Sequence, residues 1–387
     1  MTHFILAINA GSSSIRFAFV HAGKNPEKLL HGKVDRIGFC DTKMTFEGTG
    51  GITGLLNLPP NCSVSHFLLD WLELQPAFKQ LTAVGHRIVH GMRHAAPELI
   101  TRRLLDELQE LVFFDPEHLP CAVQLIEVFM QRHPQLPQFA CFDTAFHQTM
   151  PRVATMLALP RRYEPMGVKR YGFHGLSYAY QMEQLQQLGD PSATKGRVIL
   201  AHLGNGVSLA AVLDGQSMDT SMGFTPASGL VMSTRSGDLD PGLASYFSRT
   251  EGMTPAQFQH MTNHSSGLLG VSETSSDMRD LLINESTDER AAEAVALFCY
   301  QVKKGIGSFA AVLGGIDTLI FTGGIGENCA SIRWRICRGL EFLGIHLNEA
   351  GNAAHDSVIS NASAQVCIRV IRTDEELMIA RLVLRMD

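Results

Sequence analysis

The sequence predicts an α/β protein of two domains, and three observations carry that reading. The chain has 387 residues, more than one hydrophobic core commonly holds, so it is expected to divide. Strand-like and helix-like patterns alternate along it, the signature of sheets covered by helices. One strand–turn–strand plan also occurs twice, about 190 residues apart.

The first copy begins Phe4-Ile5-Leu6-Ala7-Ile8, turns through Asn9-Ala10-Gly11-Ser12-Ser13-Ser14, and leaves as Ile15-Arg16-Phe17-Ala18-Phe19-Val20. β-branched and aromatic runs bounded by small polar residues read as strands joined by a turn. The second copy runs Val198-Ile199-Leu200-Ala201, His202-Leu203-Gly204-Asn205-Gly206, Val207-Ser208-Leu209-Ala210-Ala211-Val212. The pair suggests a duplicated core, although two ordinary hairpins would look alike at this level. Helical patterns are expected at 101–112 and 121–132. Ser286 and Glu289 have capping-box spacing. After them Ala292, Val295, Cys299, Val302, Ile306, Phe309 and Leu313 form one apolar helix face that Gly314-Gly315 ends. A strand from Asp317 to Thr322, a loop over 323–328 and a helix from about Ser331 to Leu343 complete the series. Strand, glycine loop and helix is an arrangement that suits phosphate.

Composition narrows the function classes. Apolar residues make up 45% and charged ones 18%, which fits a folded globule. There is no run of about 18 apolar residues, so no membrane-spanning helix is expected. The start, Met1-Thr2-His3-Phe4, lacks a basic segment and cleavage site, so secretion is not expected. The eight cysteines, at 40, 62, 121, 141, 299, 329, 337 and 367, contain no CxxC; they read mostly as buried thiols in a reducing compartment. A net charge of −6 argues against a nucleic-acid surface. An anionic ligand would instead need locally placed arginines and backbone N–H groups.

Those elements are present. Gly-rich turns at 9–14, 202–206 and 323–328 can bring N–H groups close to phosphate oxygens; none is a GxGxxG or P-loop pattern. Arg87, within Gly85-His86-Arg87-Ile88-Val89-His90-Gly91, and Arg235, within Ser233-Thr234-Arg235-Ser236-Gly237-Asp238, carry guanidinium forks that match carboxylate or phosphate. Asp143 follows the apolar run Phe139-Ala140-Cys141-Phe142. Locally it fits either a helix N-cap or a buried carboxylate with a partner. His86 and His90 are four apart, but Ile88-Val89 between them is β-like and no HExxH pattern is present, so zinc is not expected.

Nine motifs in order then resemble the acetate kinase and propionate kinase family: NAGSSS (9–14), GHRIVHG (85–91), FDTAFHQTMP (142–151), RYGFHG (170–175), HLGNG (202–206), MGFTP (222–226), TRSGDLDP (234–241), TGGIGEN (322–328) and TDEEL (373–377). The resemblance implies two ribonuclease-H-like domains of the acetate-and-sugar-kinase/Hsp70/actin fold around a central cleft. One would comprise 1–147 plus 375–387, because the family's last helix returns to the first domain, and the other 148–374. It implies a cytoplasmic homodimer that moves a phosphoryl group in line from ATP to acetate, reversibly, giving ADP and acetyl phosphate with Mg2+; a kinase of propionate or another small carboxylic acid, or a nucleotide-binding regulator that no longer turns over, are the alternatives, and no nucleic-acid or membrane partner is expected. On the matching positions, Asn9 and Glu375 hold or orient the metal. Asp143, Arg87, His174 and Arg235 form the catalytic set. Val89, Phe173 and Pro226 line the pocket for the acyl group beside Glu117 and His118. ATP is met by Ser12, Ser14, Arg16, His202, Leu203, Gly204, Asn205, Gly206, Asp277, Met278, Arg279, Gly323, Gly324, Ile325, Gly326 and Glu327.

Several positions depart from the family pattern. Arg16 stands where a lysine is usual, and Pro116-Glu117-His118-Leu119-Pro120 where PLHNP is usual, so Glu117 replaces an apolar lining residue. Met92-Arg93, Leu176-Ser177-Tyr178 and Ser228 also differ. The phosphate machinery is thus expected to be complete and the acyl pocket altered.

Overall fold

The computed structural model describes residues 3–11, 14–37, 41–59, 62–112, 115 and 117–386. The chain forms two compact units. Unit 1 is Met1–Ala145, Gly175–Ser177 and Asp374–Asp387; unit 2 is Phe146–His174 and Tyr178–Thr373.

Unit 1 is built on eight strands: β1 (Phe4–Ala10), β2 (Ser14–His21), β3 (Glu27–Asp35), β4 (Lys43–Gly48), β5 (Ile52–Asn57), β6 (Leu81–Ile88), β7 (Glu98–Leu99) and β8 (Gln138–Phe142). Their order is β5-β4-β3-β2-β1-β6-β8-β7. β1 is buried along its whole length, because helices cover both faces of the sheet there. The helices Val64–Glu73 and Leu119–Arg132 supply Leu68, Leu72, Leu125 and Phe129 to the core with Leu6, Ile8, Phe17 and Phe19. On the other face the helix Glu375–Leu384 lies close to β6: a Cβ on Gly85 would stand 2.5 Å from Ile379 and 2.8 Å from Val383. Glycine at 85 is what allows that approach.

Unit 2 holds β9 (Arg197–Leu203), β10 (Val207–Leu213), β11 (Gln216–Thr220), β12 (Thr318–Thr322) and β13 (Cys367–Val370), in the order β11-β10-β9-β12-β13. Tyr178, Met182 and Leu185 pack on Val198, Leu200, Ala210, Val212 and Ile320. Leu209 points to the opposite face, as the period of two requires, and meets the long helix Glu289–Leu313.

The two sheets share one plan. In each, a central strand pairs antiparallel with the next strand in sequence, β1 with β2 and β9 with β10. On its other side each central strand continues as a parallel run, β1-β6-β8 and β9-β12-β13. The repeated strand–turn–strand pattern is therefore a true repeat of topology, and two ribonuclease-H-like cores are present. Unit 1 differs by extending its antiparallel side with β4 and β5.

Three local expectations are corrected. Residues 323–328 are a short helix, Gly323–Asn328, instead of a loop; contacts described below override the poor helix propensity of its glycines. The next helix is Ala330–Cys337 and stops short of Leu343, because Gly339 takes φ +86°. The long helix is capped by Asp288, whose side chain accepts from the Arg290 N–H, and not by Ser286. The N–H groups of Thr287 and Asp288 still bond to Asn284 O, so the preceding turn extends past Ser286. The cysteine reading holds in part. All seven described thiols are free; Cys141, Cys299 and Cys337 are buried, the other four are half-buried, and Cys40 lies outside the described residues. Among the described residues no helix is long and apolar enough to cross a membrane.

Two glycines in the helix Glu289–Leu313 test this packing. A Cβ on Gly305 would stand 2.6 Å from Leu209, whereas one on Gly307 meets nothing within 4 Å. Gly307→Ala is therefore expected to stabilise by about 0.5–1 kcal/mol through helix propensity. Gly305→Ala should lose that gain and destabilise by roughly 1–3 kcal/mol. Thermal unfolding of the two variants followed by circular dichroism checks the opposite signs.

Candidate active site

In unit 1 the parallel strands β1, β6 and β8 end side by side, and the functional side chains sit at those ends. Open α/β sheets commonly place ligands outside the carboxyl ends of their strands. Asn9 is next to last in β1, Arg87 next to last in β6, and Asp143 follows β8 directly. Arg87 Nη2 donates to Asp143 Oδ2 at 2.9 Å and Nη1 donates to Asn9 Oδ1 at 3.1 Å. Asn9 Nδ2 donates onward to Glu375 Oε2 at 2.7 Å and Glu376 Oε1 at 3.0 Å. Lys28 closes the chain with Nζ 2.6 Å from Asp374 and 3.3 Å from Glu376. Of the two local readings of Asp143, the buried carboxylate with a partner is the one observed. It is fully buried, and its Oδ1 also accepts from the Leu176 N–H at 3.2 Å.

The electrostatics follow from burial. Burial works to lower the Arg87 pKa, but Asp143, Glu375 and Asp115 outweigh it and push it up. Burial raises Glu375; Arg87 opposes this, while Asp143 and Glu376 add to it, and the net direction is up. Burial also acts to raise Glu376, yet Lys28, Arg16 and the Asn9 amide reverse that and hold it below its ordinary value. Two adjacent carboxyls in one helix turn are thus driven apart. Glu375 thus faces more carboxylate than cation, with hard oxygen donors beside it. That donor set suits Mg2+, which commonly takes one or two carboxylates and completes its shell with water and phosphate. Asn9 spends its carbonyl on Arg87 and its amide on the two glutamates, so it fits an orienting role. Among the described residues no group of three or more His, Cys, Asp or Glu forms a metal cluster.

The histidines of the 85–91 motif are structural. His86 is buried, with Nε2 2.8 Å from Gln138 Oε1, and burial pushes its pKa down to about 4. His90 Nδ1 accepts from the Met92 N–H at 3.2 Å. Val89 is buried; Glu117 is half-buried in the turn before the helix Leu119–Arg132; His118 Nδ1 lies 2.7 Å from Asp115 Oδ1. Ser14 opens β2, and Arg16 on that strand is exposed, opposite Asn9 on one side and Lys33 on the other. A cavity of about 730 Å³ in unit 1 is lined by Arg16, Lys33, His31 and Glu376 among others. Ser12 lies outside the described residues.

Unit 2 gathers a second group. His174 takes φ 58° just before the helix Gly175–Gln187. Its Nδ1 is 2.8 Å from Ser208 Oγ, which also meets the Tyr178 hydroxyl, and its ring stacks on His202 with centroids 4.1 Å apart. A Cβ on Gly206 would stand 3.0 Å from His174 Nε2 and 3.7 Å from Arg235 Nη1. His174, His202, Gly206 and Arg235 therefore converge on one spot. Arg235 Nη1 donates to Pro226 O at 3.1 Å, and the Ser233 N–H donates to Asn205 O at 3.2 Å. Phe173 is buried, and its carbonyl accepts from His147 Nε2.

The glycine loops of unit 2 meet through backbone. A Cβ on Gly323 would stand 2.7 Å from Leu203 O, and one on Gly204 would stand 3.8 Å from Gly324 N. Ile325 and Gly326 lie in the short helix; Asp277 caps the helix Met278–Asn284 and also binds the Arg279 guanidinium. Met278 is buried. Sequence reasoning missed Lys28, Glu376, Ser208, Tyr178 and Arg333. Glu376 lay inside the TDEEL motif and Tyr178 among the positions that depart from the family pattern; the other three had no local signal.

The sequence matches the model of the acetokinase family over residues 4–381. It is 41% identical to an acetate kinase of Rhodopseudomonas palustris, covering 100% of this chain and 99% of the relative. It is also 41% identical to a propionate kinase of Yersinia enterocolitica, covering 100% and 97%. The crystal structure of a propionate kinase from Francisella tularensis superposes with a TM-score of 0.90 at 37% identity over 98% of both chains.

Glu375→Ala is expected to abolish or sharply weaken turnover and its magnesium dependence while nucleotide still binds. The expected reason is that Glu375 would hold Mg2+, which would neutralise charge between the phosphates, while adenosine would be met by loops elsewhere. Magnesium titration of activity, with nucleotide affinity measured separately by calorimetry, checks both halves.

Proposed function

This chain belongs to the acetokinase family, and on that premise we propose that it moves the γ-phosphoryl group of ATP directly onto a small carboxylate. The carboxylate oxygen forms the new P–O bond, the bond to the β-phosphate oxygen breaks, and ADP leaves. The same steps reversed make ATP from the acyl phosphate. The observation that carries the reading is the buried chain Asp143–Arg87–Asn9–Glu375 at the ends of three parallel strands.

The nucleophile is already anionic at neutral pH, since carboxylates titrate near pH 4. No general base is required, and Asp143 is read as a positioning group: with two acceptor contacts made, it fixes the Arg87 guanidinium. Arg87 keeps Nε, a buried donor with no partner among the described residues, for the carboxylate or the phosphoryl group. Arg235 and His174 meet the transferring group, whose charge spreads over three oxygens. The backbone of 202–206 and 323–327, with 277–279, holds ATP. Glu375, oriented by Asn9, would hold Mg2+, which supplies charge neutralisation on the phosphates. The family pattern assigns Val89, Phe173 and Pro226 to the acyl group. A cytoplasmic setting is supported by the seven free thiols, and the homodimer rests on the family pattern alone.

The acid itself is a second question. Relatives of equal identity bear the names of acetate and propionate kinases, while Glu117 puts a half-buried carboxylate at a position that the family pattern keeps apolar. A kinase of a different small carboxylic acid is the alternative that this residue favours. Acyl-hydroxamate assays on formate, acetate, propionate and butyrate with Mg-ATP separate the readings, and no product from any of them would overturn the function.

Two substitutions test the roles. Arg235→Ala should fold normally and lose about 10³-fold or more in kcat, as other arginines of phosphoryl transfer do. Arg235→Lys should also be impaired, because a point charge cannot replace the fork; steady-state kinetics with an unchanged kcat would remove Arg235 from the mechanism. Glu117→Leu should lower the KM for acetate more than that for ATP, since apolar fit is worth roughly 1–3 kcal/mol per methylene. Unmoved KM values would mean that Glu117 faces away.

A further inference from the structure

The last residue of the GGIGE run does not behave as a phosphate-contacting group. Glu327 Oε1 accepts from the Gly323 N–H at 2.9 Å, the Thr373 N–H at 3.0 Å and the Thr322 hydroxyl at 3.3 Å. Gly323 is the first residue of the short helix that forms the nucleotide loop, and it takes φ +77° against the backbone of Leu203. Thr373 is the residue from which the chain runs straight into Asp374 and Glu375. Thr322 Oγ1 is held in turn by Gln181 Nε2 at 3.0 Å. From the other end of the helix the buried Arg333 donates to Gly326 O and Glu327 O at 2.8 and 2.9 Å.

A carboxylate oxygen with three donors is fully committed, and a free carboxylate facing the phosphates would repel them. The Gly323 N–H, which a bare glycine loop would offer to phosphate, is likewise taken. Glu327 therefore serves the loop from within. It bends Gly323–Asn328 back on itself and pins it to residues 371–373, where Ile371 N–H already bonds to Phe321 O at 3.1 Å.

We propose that Glu327 is a positioning residue whose carboxylate latches the nucleotide loop to the segment that leads into the metal-orienting residue Glu375. The proposal rests on the phosphoryl-transfer reading above and adds a coupling to it: the loop's free N–H groups and the start of the Asp374–Glu375 turn are set by one oxygen atom. The latch needs an acceptor, not a charge. A glutamine amide oxygen can accept the same two backbone N–H bonds, so the conservative variant should restore what alanine loses.

The test compares Glu327→Ala with Glu327→Gln. Alanine is expected to raise the KM for ATP and lower kcat together, by roughly tenfold or more overall, as loss of charge-assisted hydrogen bonds does. Glutamine should recover about half of that loss on a logarithmic scale, roughly threefold for a tenfold loss, since neutral acceptors bond about half as strongly. Hydrogen–deuterium exchange gives the readout independent of turnover: peptides covering 322–326 and 371–374 should exchange faster in the alanine variant and near the wild-type rate in glutamine. Glutamine as inactive as alanine with wild-type exchange would make Glu327 a charged ligand and overturn the latch. A lowered unfolding temperature with unchanged kinetics in both variants would make it merely structural and also overturn it. An inactive wild-type protein with the predicted exchange pattern would instead count against the phosphoryl-transfer reading and leave the latch standing.

Discussion

A buried guanidinium holds its charge only if opposite charge and hydrogen-bond acceptors come with it, and Arg87 imposes that condition on unit 1. Removing one partner of such a pair costs about 3–5 kcal/mol, because the other is left uncompensated. Asp143 answers from β8, Asn9 from β1 and Glu375 from the last helix. Each lies at a strand end or the first turn of a helix, where the backbone can deliver a side chain without breaking the sheet ladder. The arrangement also sets the next layer. Asn9 can orient Glu375 because its own carbonyl is fixed by Arg87. Glu376, with the adjacent backbone, is left to Lys28 and Arg16, which keep it ionised beside a neighbour that burial pushes the other way.

Unit 2 meets the same problem with little charge. His174 stacks on His202, and Gly206 has no side chain where one would press on the His174 ring beside Arg235. The left-handed backbone at His174 costs of order 1 kcal/mol for a residue with a Cβ. It is held by Ser208, itself bonded to Tyr178. Arg333 is the opposite extreme: fully buried with no carboxylate, it binds three carbonyl groups and Asn352. Burial lowers its pKa.

Much of this was legible in the chain. The two hairpins, the long helix and the residues at the strand ends all announce themselves through period and through small polar residues after apolar runs. The link from Asn9 to Glu375 was not, because the two are 366 positions apart and pair only through topology. Lys28 looked like any surface lysine. The 323–328 helix was hidden by its own glycines, whose low propensity is overruled by Glu327 from within the segment and Arg333 from beyond its end. Asp288 displaced Ser286 as cap because Asn284 holds the preceding turn one residue longer than the spacing suggested.

The helix Glu375–Leu384 has a consequence for how the protein is made. It covers β6 at Gly85 and carries Glu375 to Asn9, yet it follows all of unit 2 along the chain. At roughly 5–20 residues per second of synthesis, all of unit 2 is translated while the sheet of unit 1 waits with one face uncovered. Unit 2 is contiguous apart from three residues and can close first. Amino-terminal domain before carboxyl-terminal is the usual co-translational order, whereas here unit 1 lacks its covering helix until all of unit 2 has been made. The nascent N-terminal sheet is the part that needs shielding until the helix Glu375–Leu384 has been made and can cover it.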